Sequence, residues 1–291
     1  MAPVLTTAAE LRPLLDAHRA SGGTVGLVGT SGGLHEGHLS LIRRSVDDGN
    51  LTVLWLFTGR VAIETGVLPS YQRDYDRDQE MAMAAGASIV FRPPNETLFK
   101  LGPPLVSIAV AEEMASPWPG MDSSTFIGML VTILAKAINV VGPCRLYSGE
   151  KDWQNVAVLR RMVVDLDMPA EIVPCPTARE PDGLVLGSRN KKLTPAERVA
   201  AQGIKQALDS AAADIAAGNS SQDEVEASLR QQLAKIGQVE YGVVVEPYTL
   251  QRPPALQGAL RILVSVAFSE TSIFDNLGIA ADAPVPSWGV R

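Results

Sequence analysis

The chain has 291 residues, of which 46% are hydrophobic and 20% charged, and a net charge of −7. That length supports a sizeable core in one or two domains. The acidic balance argues against broad binding to nucleic acid, though a local cationic pocket for a nucleotide is compatible with it. Two cysteines, Cys144 and Cys175, are too few for a disulfide scaffold and lack zinc-like spacing, so a reducing cytoplasm is the expected setting. The opening MAPVLTTAAELRPLL lacks the basic region and apolar core of a signal peptide, and no apolar run reaches the length of a membrane span, so a soluble protein is expected.

Along the chain, TVGLVG reads as a buried strand and HLSLIRRSVDDG as a helix ending at Gly49. LTVLWLF is a second buried strand, DYDRDQEMAMAAGA a helix stopped by Gly86, and SIVF a short strand. Residues 123–141 read as a helix, CRLYSG as a strand, KDWQNVAVLRRMVVDL as an amphipathic helix and AEIVPC as another strand. Continuous Val/Leu/Ile strands alternating with helices imply a parallel sheet covered on both faces. The expected fold is α/β: a Rossmann-like doubly wound sheet over residues 1–180. From 181 to 291 the character changes. TPAERVAAQGIKQALDSAAADIAAG opens with a Thr cap and a first-turn proline, and SSQDEVEASLRQQLAKIG is a second helix. VEYGVVVEP, LRILVSVAF and TSIFDNL follow as strands, giving a smaller α+β domain.

Three segments carry chemistry. In GGLHEGHLS, His35 and His38 lie three residues apart where a strand hands over to a helix. A helix start aims free N–H groups and the positive dipole end at one point, which suits phosphate, and glycines allow close approach. Two imidazoles there would stabilise charge on a phosphate in flight. A glycine turn with two surface histidines is the plain alternative, and a zinc site is weaker, since His18 is the one other histidine. In SGEKDWQN, Lys151 sits at a strand end on the same sheet edge, either reaching phosphate oxygens or standing in a solvated helix start. In DGLVLGSRN, Ser188 and Arg189 fall at the domain junction, where Arg189 either pairs with an anion or decorates a surface turn.

In this order, L-H-x-G-H, G-E-K-D, D-G-L-x-x-S-R-N and the late D-N closely resemble the pantothenate synthetase (pantoate–β-alanine ligase) family of the H-x-G-H nucleotidyltransferase superfamily, over nearly the whole chain. The resemblance implies that ATP, with Mg²⁺, activates a carboxylic acid as an acyl-adenylate, and that an amine then displaces AMP. By motif match, His35 and His38 would stabilise the α-phosphate and Lys151, Ser188 and Arg189 would hold the triphosphate. Gly37 would belong to the nucleotide site, Gly149 and Asp152 would contact the ribose, and Asp78 matches an acidic position near the metal. The family also implies a lid role for the second domain, a homodimer, and small-molecule partners rather than nucleic acid or membrane.

The departures cluster on the acid and amine side. The family's P-T-M-G has Gly29 for proline and Ser31 for methionine; its F-V-N-P-x-Q-F reads FTGRVAI, with Arg60 for proline and Ala62 for glutamine. Its K-D-Y-Q-Q has Trp153 for tyrosine and Asn155 for the second glutamine. The two replaced glutamines hold pantoate in the family. A histidine-bearing H-F-R-G segment becomes STFIGM, the first serine of S-S-R-N is Gly187, and a basic residue of R-L-I-D-N is Ser272. Ser31, Arg60, Ala62 and Asn155 are therefore the expected substrate-pocket positions. Losing contacts to substrate polar groups costs about 1–3 kcal/mol each. Three expectations follow: an amide ligase with changed substrates, a pantothenate synthetase with an altered pocket, and a non-catalytic nucleotide binder.

Overall fold

The computed structural model describes residues 3–57, 74–102, 104–118, 121, 124–218 and 220–279. Six strands form one parallel sheet: β1 (Val4–Leu5), β2 (Val25–Thr30), β3 (Leu51–Leu56), β4 (Ile89–Phe91), β5 (Cys144–Gly149) and β6 (Ala170–Cys175). Their order is β1-β4-β3-β2-β5-β6. Side chains alternate across this sheet with period two. Leu27, Trp55, Phe91 and Leu146 enter one core with the helices Ala8–Ala20, Ser124–Val141 and Trp153–Asp165. Val28, Leu54, Leu56 and Tyr147 enter a second core with Ile42 and Ala82. Covering both faces explains why β2, β3 and β4 are almost wholly apolar, while β5 and β6 at the sheet's far side carry the Arg145–Glu171 ion pair.

The chain runs outward from β2 through β3 and β4, then returns to place β5 against the other edge of β2. That reversal opens a crevice beyond the C-terminal ends of β2 and β5, where such sheets take their ligands.

A smaller antiparallel sheet follows: β7 (Gln238–Val245), β8 (Leu260–Ala267) and β9 (Ser272–Ile279), in that order. One of its faces, with Val244, Ile262 and Val264, packs on the helices Gly203–Ala217 and Gln222–Leu233. The other, with Val243, Val245 and Leu263, joins the core of the large sheet. The structure thus has the expected architecture, with two local differences. The helix expected from Thr194 is split into Pro195–Ala201 and Gly203–Ala217. At the break, Gly203 lets Ile236 come so close that a Cβ would meet its Cδ1 at 3.0 Å. The helix Ser124–Val141 also averages a hydropathy of 1.8 over 18 residues, which is apolar enough by length and composition to cross a membrane. Two roles account for that composition. Ile127, Val131 and Ile138 are buried in the core, while Phe126, Met129, Ile133 and Leu134 line the crevice.

Candidate active site

The crevice is a cavity of about 780 Å³. Gly32 and Gly33, with φ of 95° and 72°, turn the chain out of β2 in a left-handed conformation that favours glycine. The helix Glu36–Asp47 then begins with His35 as its N-cap. The Nδ1 of His35 accepts the Gly37 N–H at 3.1 Å, and the Nδ1 of His38 accepts the His35 N–H at 3.4 Å. The pair is a capping box built from two imidazoles, reciprocal in the same way as Ser/Thr with Glu. With Nδ1 accepting on both rings, Nε2 carries the proton on each neutral ring. The ring centroids are 4.2 Å apart. Gly37 is required by this packing, because a Cβ there would meet His35 Cε1 at 2.9 Å.

Burial lowers the pKa of both histidines. For His38 the enclosure of its ring, helped by His35 and Lys151, brings it down to about 3. For His35 burial comes first and the Lys151 ammonium second. At neutral pH the cavity therefore presents two uncharged N–H donors beside a cation.

Lys151 follows β5 in a 3₁₀ turn, Glu150–Asp152. The turn is held from the small sheet: Asn276 Nδ2 donates to the carbonyls of Glu150 at 2.8 Å and Lys151 at 2.9 Å. Arg261, 5% exposed at its side chain, pairs with Glu150 at 3.2 Å and donates to Asn276 Oδ1 at 2.7 Å. Asp275 takes a bidentate bond from Arg179, at 2.6 and 2.9 Å, which ties the segment leading to Ser188 to the same strand. The D-N pair of TSIFDNL thus orients both cationic segments.

His35, His38, Gly37, Lys151, Gly149, Asp152, Ser188, Arg189, Ser31 and Asn155 all line this one cavity. Arg60 and Ala62 lie outside the described residues. Asp78 is not in the cavity lining. It is 3% exposed beneath the glycine turn, where its two oxygens accept the N–H groups of Gly33 at 2.7 Å and Leu34 at 2.8 Å. That geometry makes it a buttress of the loop. Among the described residues no group of three or more His, Cys, Asp or Glu is placed to hold a metal ion. Trp153 also turns away from the cavity. It is 1% exposed, donates to the Pro247 carbonyl at 2.8 Å and carries the Arg261 guanidinium 3.3 Å above its ring.

The same lining has an apolar part: Trp55, Phe57, Phe126, Met129, Ile133 and Leu134. The glycine at 29 belongs to this part, since a Cβ there would meet Leu134 Cδ2 at 3.0 Å. Asn155 also lines the cavity, and its buried Oδ1 accepts no hydrogen bond among the described residues.

A family profile described as pantoate-beta-alanine ligase matches residues 3–278. The chain belongs to the pantoate–β-alanine ligase family. It is 45% identical over 276 residues to a protein called Pantothenate synthetase 2 of Frankia alni, covering 94% of this chain and 84% of that one. It is 37% identical over 282 residues to Pantothenate synthetase 1 of the same organism, covering 93% and 96%. The crystal structure of pantothenate synthetase from Thermus thermophilus superposes with a TM-score of 0.80 at 31% identity, over 95% of this chain and 99% of that one. A pantoate-beta-alanine ligase from Francisella tularensis, complexed with an ATP analogue and β-alanine, shares the fold at 20% identity with a TM-score of 0.66. Family membership places the protein among ATP-dependent, AMP-forming carbon–nitrogen ligases.

Sequence reasoning missed Phe274 and the imidazole capping box. Histidine is not among the usual N-cap residues, so H-x-G-H gives no capping signal of its own.

Proposed function

We propose that this cavity activates a carboxylic acid as its acyl-adenylate with ATP and passes it to an amine, and that the acid is more apolar than pantoate. The observation that carries the proposal is a single cavity whose lining combines neutral imidazole donors and cations with a stretch of apolar side chains. An acid seated on the Trp55–Phe57–Leu134 side brings its carboxylate towards the histidines. As a carboxylate oxygen bonds to the α-phosphorus, the Nε2–H groups of His35 and His38 donate to the α-phosphate oxygens that gain charge. Lys151, Ser188 and Arg189 hold the β- and γ-phosphates and the departing pyrophosphate. Gly149 and Asp152, at the strand end, meet the ribose. The amine then attacks the acyl carbon, loses a proton, and AMP leaves.

With no protein cage for a metal among the described residues, the donor set fits Mg²⁺ carried on the triphosphate, where it neutralises phosphate charge. Residues 1–180 supply the sheet and the histidines, and residues 181–291 act as a lid bearing Ser188, Arg189 and β9. A soluble cytoplasmic homodimer completes the proposal, and light scattering tests the assembly.

Three features support an acid other than pantoate. Asn155 is one methylene shorter than the family's glutamine, so its carboxamide cannot reach the point that glutamine would reach. Gly29 makes room for Leu134 in the wall. In the segment 124–129, Thr125 stands where the family's H-F-R-G has its histidine, beside Phe126 and Met129 of the cavity lining. A second reading, a pantothenate synthetase in the strict sense, is favoured by the names of the relatives at 45% and 37% identity. Mass spectrometry on reactions with ATP, Mg²⁺, a carboxylate panel and candidate amines separates the readings. Acyl-adenylates and amides of apolar acids support the first, and pantothenate with AMP as the dominant product supports the second. ATP binding without any adenylate would reduce the protein to a nucleotide binder.

A further inference from the structure

Phe274 has no part in the chemistry set out above, yet it touches both cations of the phosphate side. The Lys151 ammonium lies 4.0 Å from its ring centroid and the Arg189 guanidinium 4.6 Å. These side chains come from different segments, one after β5 and one from the 3₁₀ turn Ser188–Lys192. Two like charges brought to one place repel, and each loses some hydration. An aromatic ring offsets both costs, because its electron-rich face attracts cations within about 6 Å.

The ring is itself fixed. In β9, residues two apart share a face. Ile273 and Asp275 turn inward, to the small-domain core and to Arg179. Phe274 and Asn276 face the other way, towards the Lys151 turn. Asn276 grips the backbone of that turn while Phe274 meets the ammonium at the end of the side chain. Gly187 leaves the space that this requires, since a Cβ there would meet Lys151 Cε at 3.2 Å and Nζ at 3.4 Å.

We propose that Phe274 is a positioning residue that seats Lys151 and Arg189 together for the triphosphate of ATP. The proposal rests on the cavity being an ATP site. Removing the ring takes one contact from each cation, leaving Lys151 its longer pairing with Asp152 at 3.7 Å, and two contacts of this class correspond to a roughly 5- to 30-fold change in affinity. The test measures MgATP affinity by calorimetry, without acid or amine, for the wild type, Phe274→Leu and Phe274→Tyr, with thermal midpoints alongside. Phe274→Leu is expected to bind MgATP roughly 5- to 30-fold more weakly, and Phe274→Tyr, which keeps the ring, to bind as the wild type does. In steady state the KM for ATP rises in the leucine variant while the KM for the acid stays put. If Phe274→Leu does not fold, Phe274→Met, close in volume and without a ring, takes its place. Wild-type affinity in a folded leucine or methionine variant overturns the proposal, as does a tyrosine variant as weak as leucine. A wild type that binds no MgATP overturns the ATP-site reading itself, which is a different result from either.

Discussion

Replacing Asp78 by asparagine distinguishes a loop buttress from a metal ligand. Its two carboxylate oxygens accept the N–H groups of Gly33 and Leu34 at 2.7 and 2.8 Å, at a residue 3% exposed. Asparagine keeps the shape and one acceptor, but turns an amide donor towards the other N–H. One charge-assisted bond is weakened and the second is lost, leaving a buried donor facing a donor. Hydrogen bonds to charged groups contribute about 1.5–3 kcal/mol each, so Asp78→Asn should cost about 2–4 kcal/mol. In a protein of 291 residues each kcal/mol moves Tm by roughly 1.5–2 °C, which gives a fall of roughly 3–8 °C. Thermal unfolding without nucleotide or metal reads this directly. The Mg²⁺ dependence of ATP–pyrophosphate exchange, taken at a temperature where the variant is folded, gives the second readout. A buttress predicts lower stability with an unchanged Mg²⁺ requirement. Wild-type stability with a raised Mg²⁺ requirement would refute the reasoning and return Asp78 to the metal.

Other perturbations probe the remaining parts of the site. His38→Ala removes one donor to the α-phosphate and should lower pyrophosphate exchange by about 10²-fold or more with the fold retained; unchanged exchange contradicts its assigned role. The pH dependence of stability has a definite sign. His38 is held at about 3 when folded against an ordinary 6.5, so between those values the unfolded chain binds the extra proton. Stability is complete above 6.5 and declines as pH falls through the window, with His35 acting in the same direction. From pH 7.5 to 5.5 His38 should cost about 1–2 kcal/mol. Urea midpoints should show a shallower loss in His38→Gln, and identical slopes would count against the buried neutral ring. Asn155→Gln combined with Ala62→Gln should raise the response to pantoate in the exchange assay; no gain would place the acid specificity elsewhere, as in the wall around Leu134.

The large sheet was legible because its longer strands are runs rich in Val, Leu and Ile set between helical segments, and TVGLVG, LTVLWLF, CRLYSG and AEIVPC all fall on observed strands. β1 was not, since two residues at the sheet edge give no periodicity to read. The helix ends at Gly49 and Gly86 followed from glycine, and both adopt positive φ, 79° and 101°. For the site, motif order pointed to the residues that the crevice brings together, while their local physics stayed hidden. The burial of Asp78 under Gly33 and Leu34 had no local signal, because it depends on how a helix 45 positions away packs. Trp153 replaces the family's tyrosine next to Lys151, and helix phase turns it into the core. Phe274 and Asn276 act across more than 120 residues of sequence, on the Lys151 turn that β9 reaches only in the folded chain.

The central claim is that this cavity adenylates a carboxylic acid less polar than pantoate. Carboxylate-dependent ATP–pyrophosphate exchange on the purified wild-type protein tests it most directly, with pantoate and apolar acids of similar size compared at equal concentration. The account predicts exchange that requires an acid and runs at least roughly tenfold faster with an apolar acid, the discrimination expected for a change of one or two pocket contacts. Exchange fastest with pantoate, or no exchange with any acid, would contradict it.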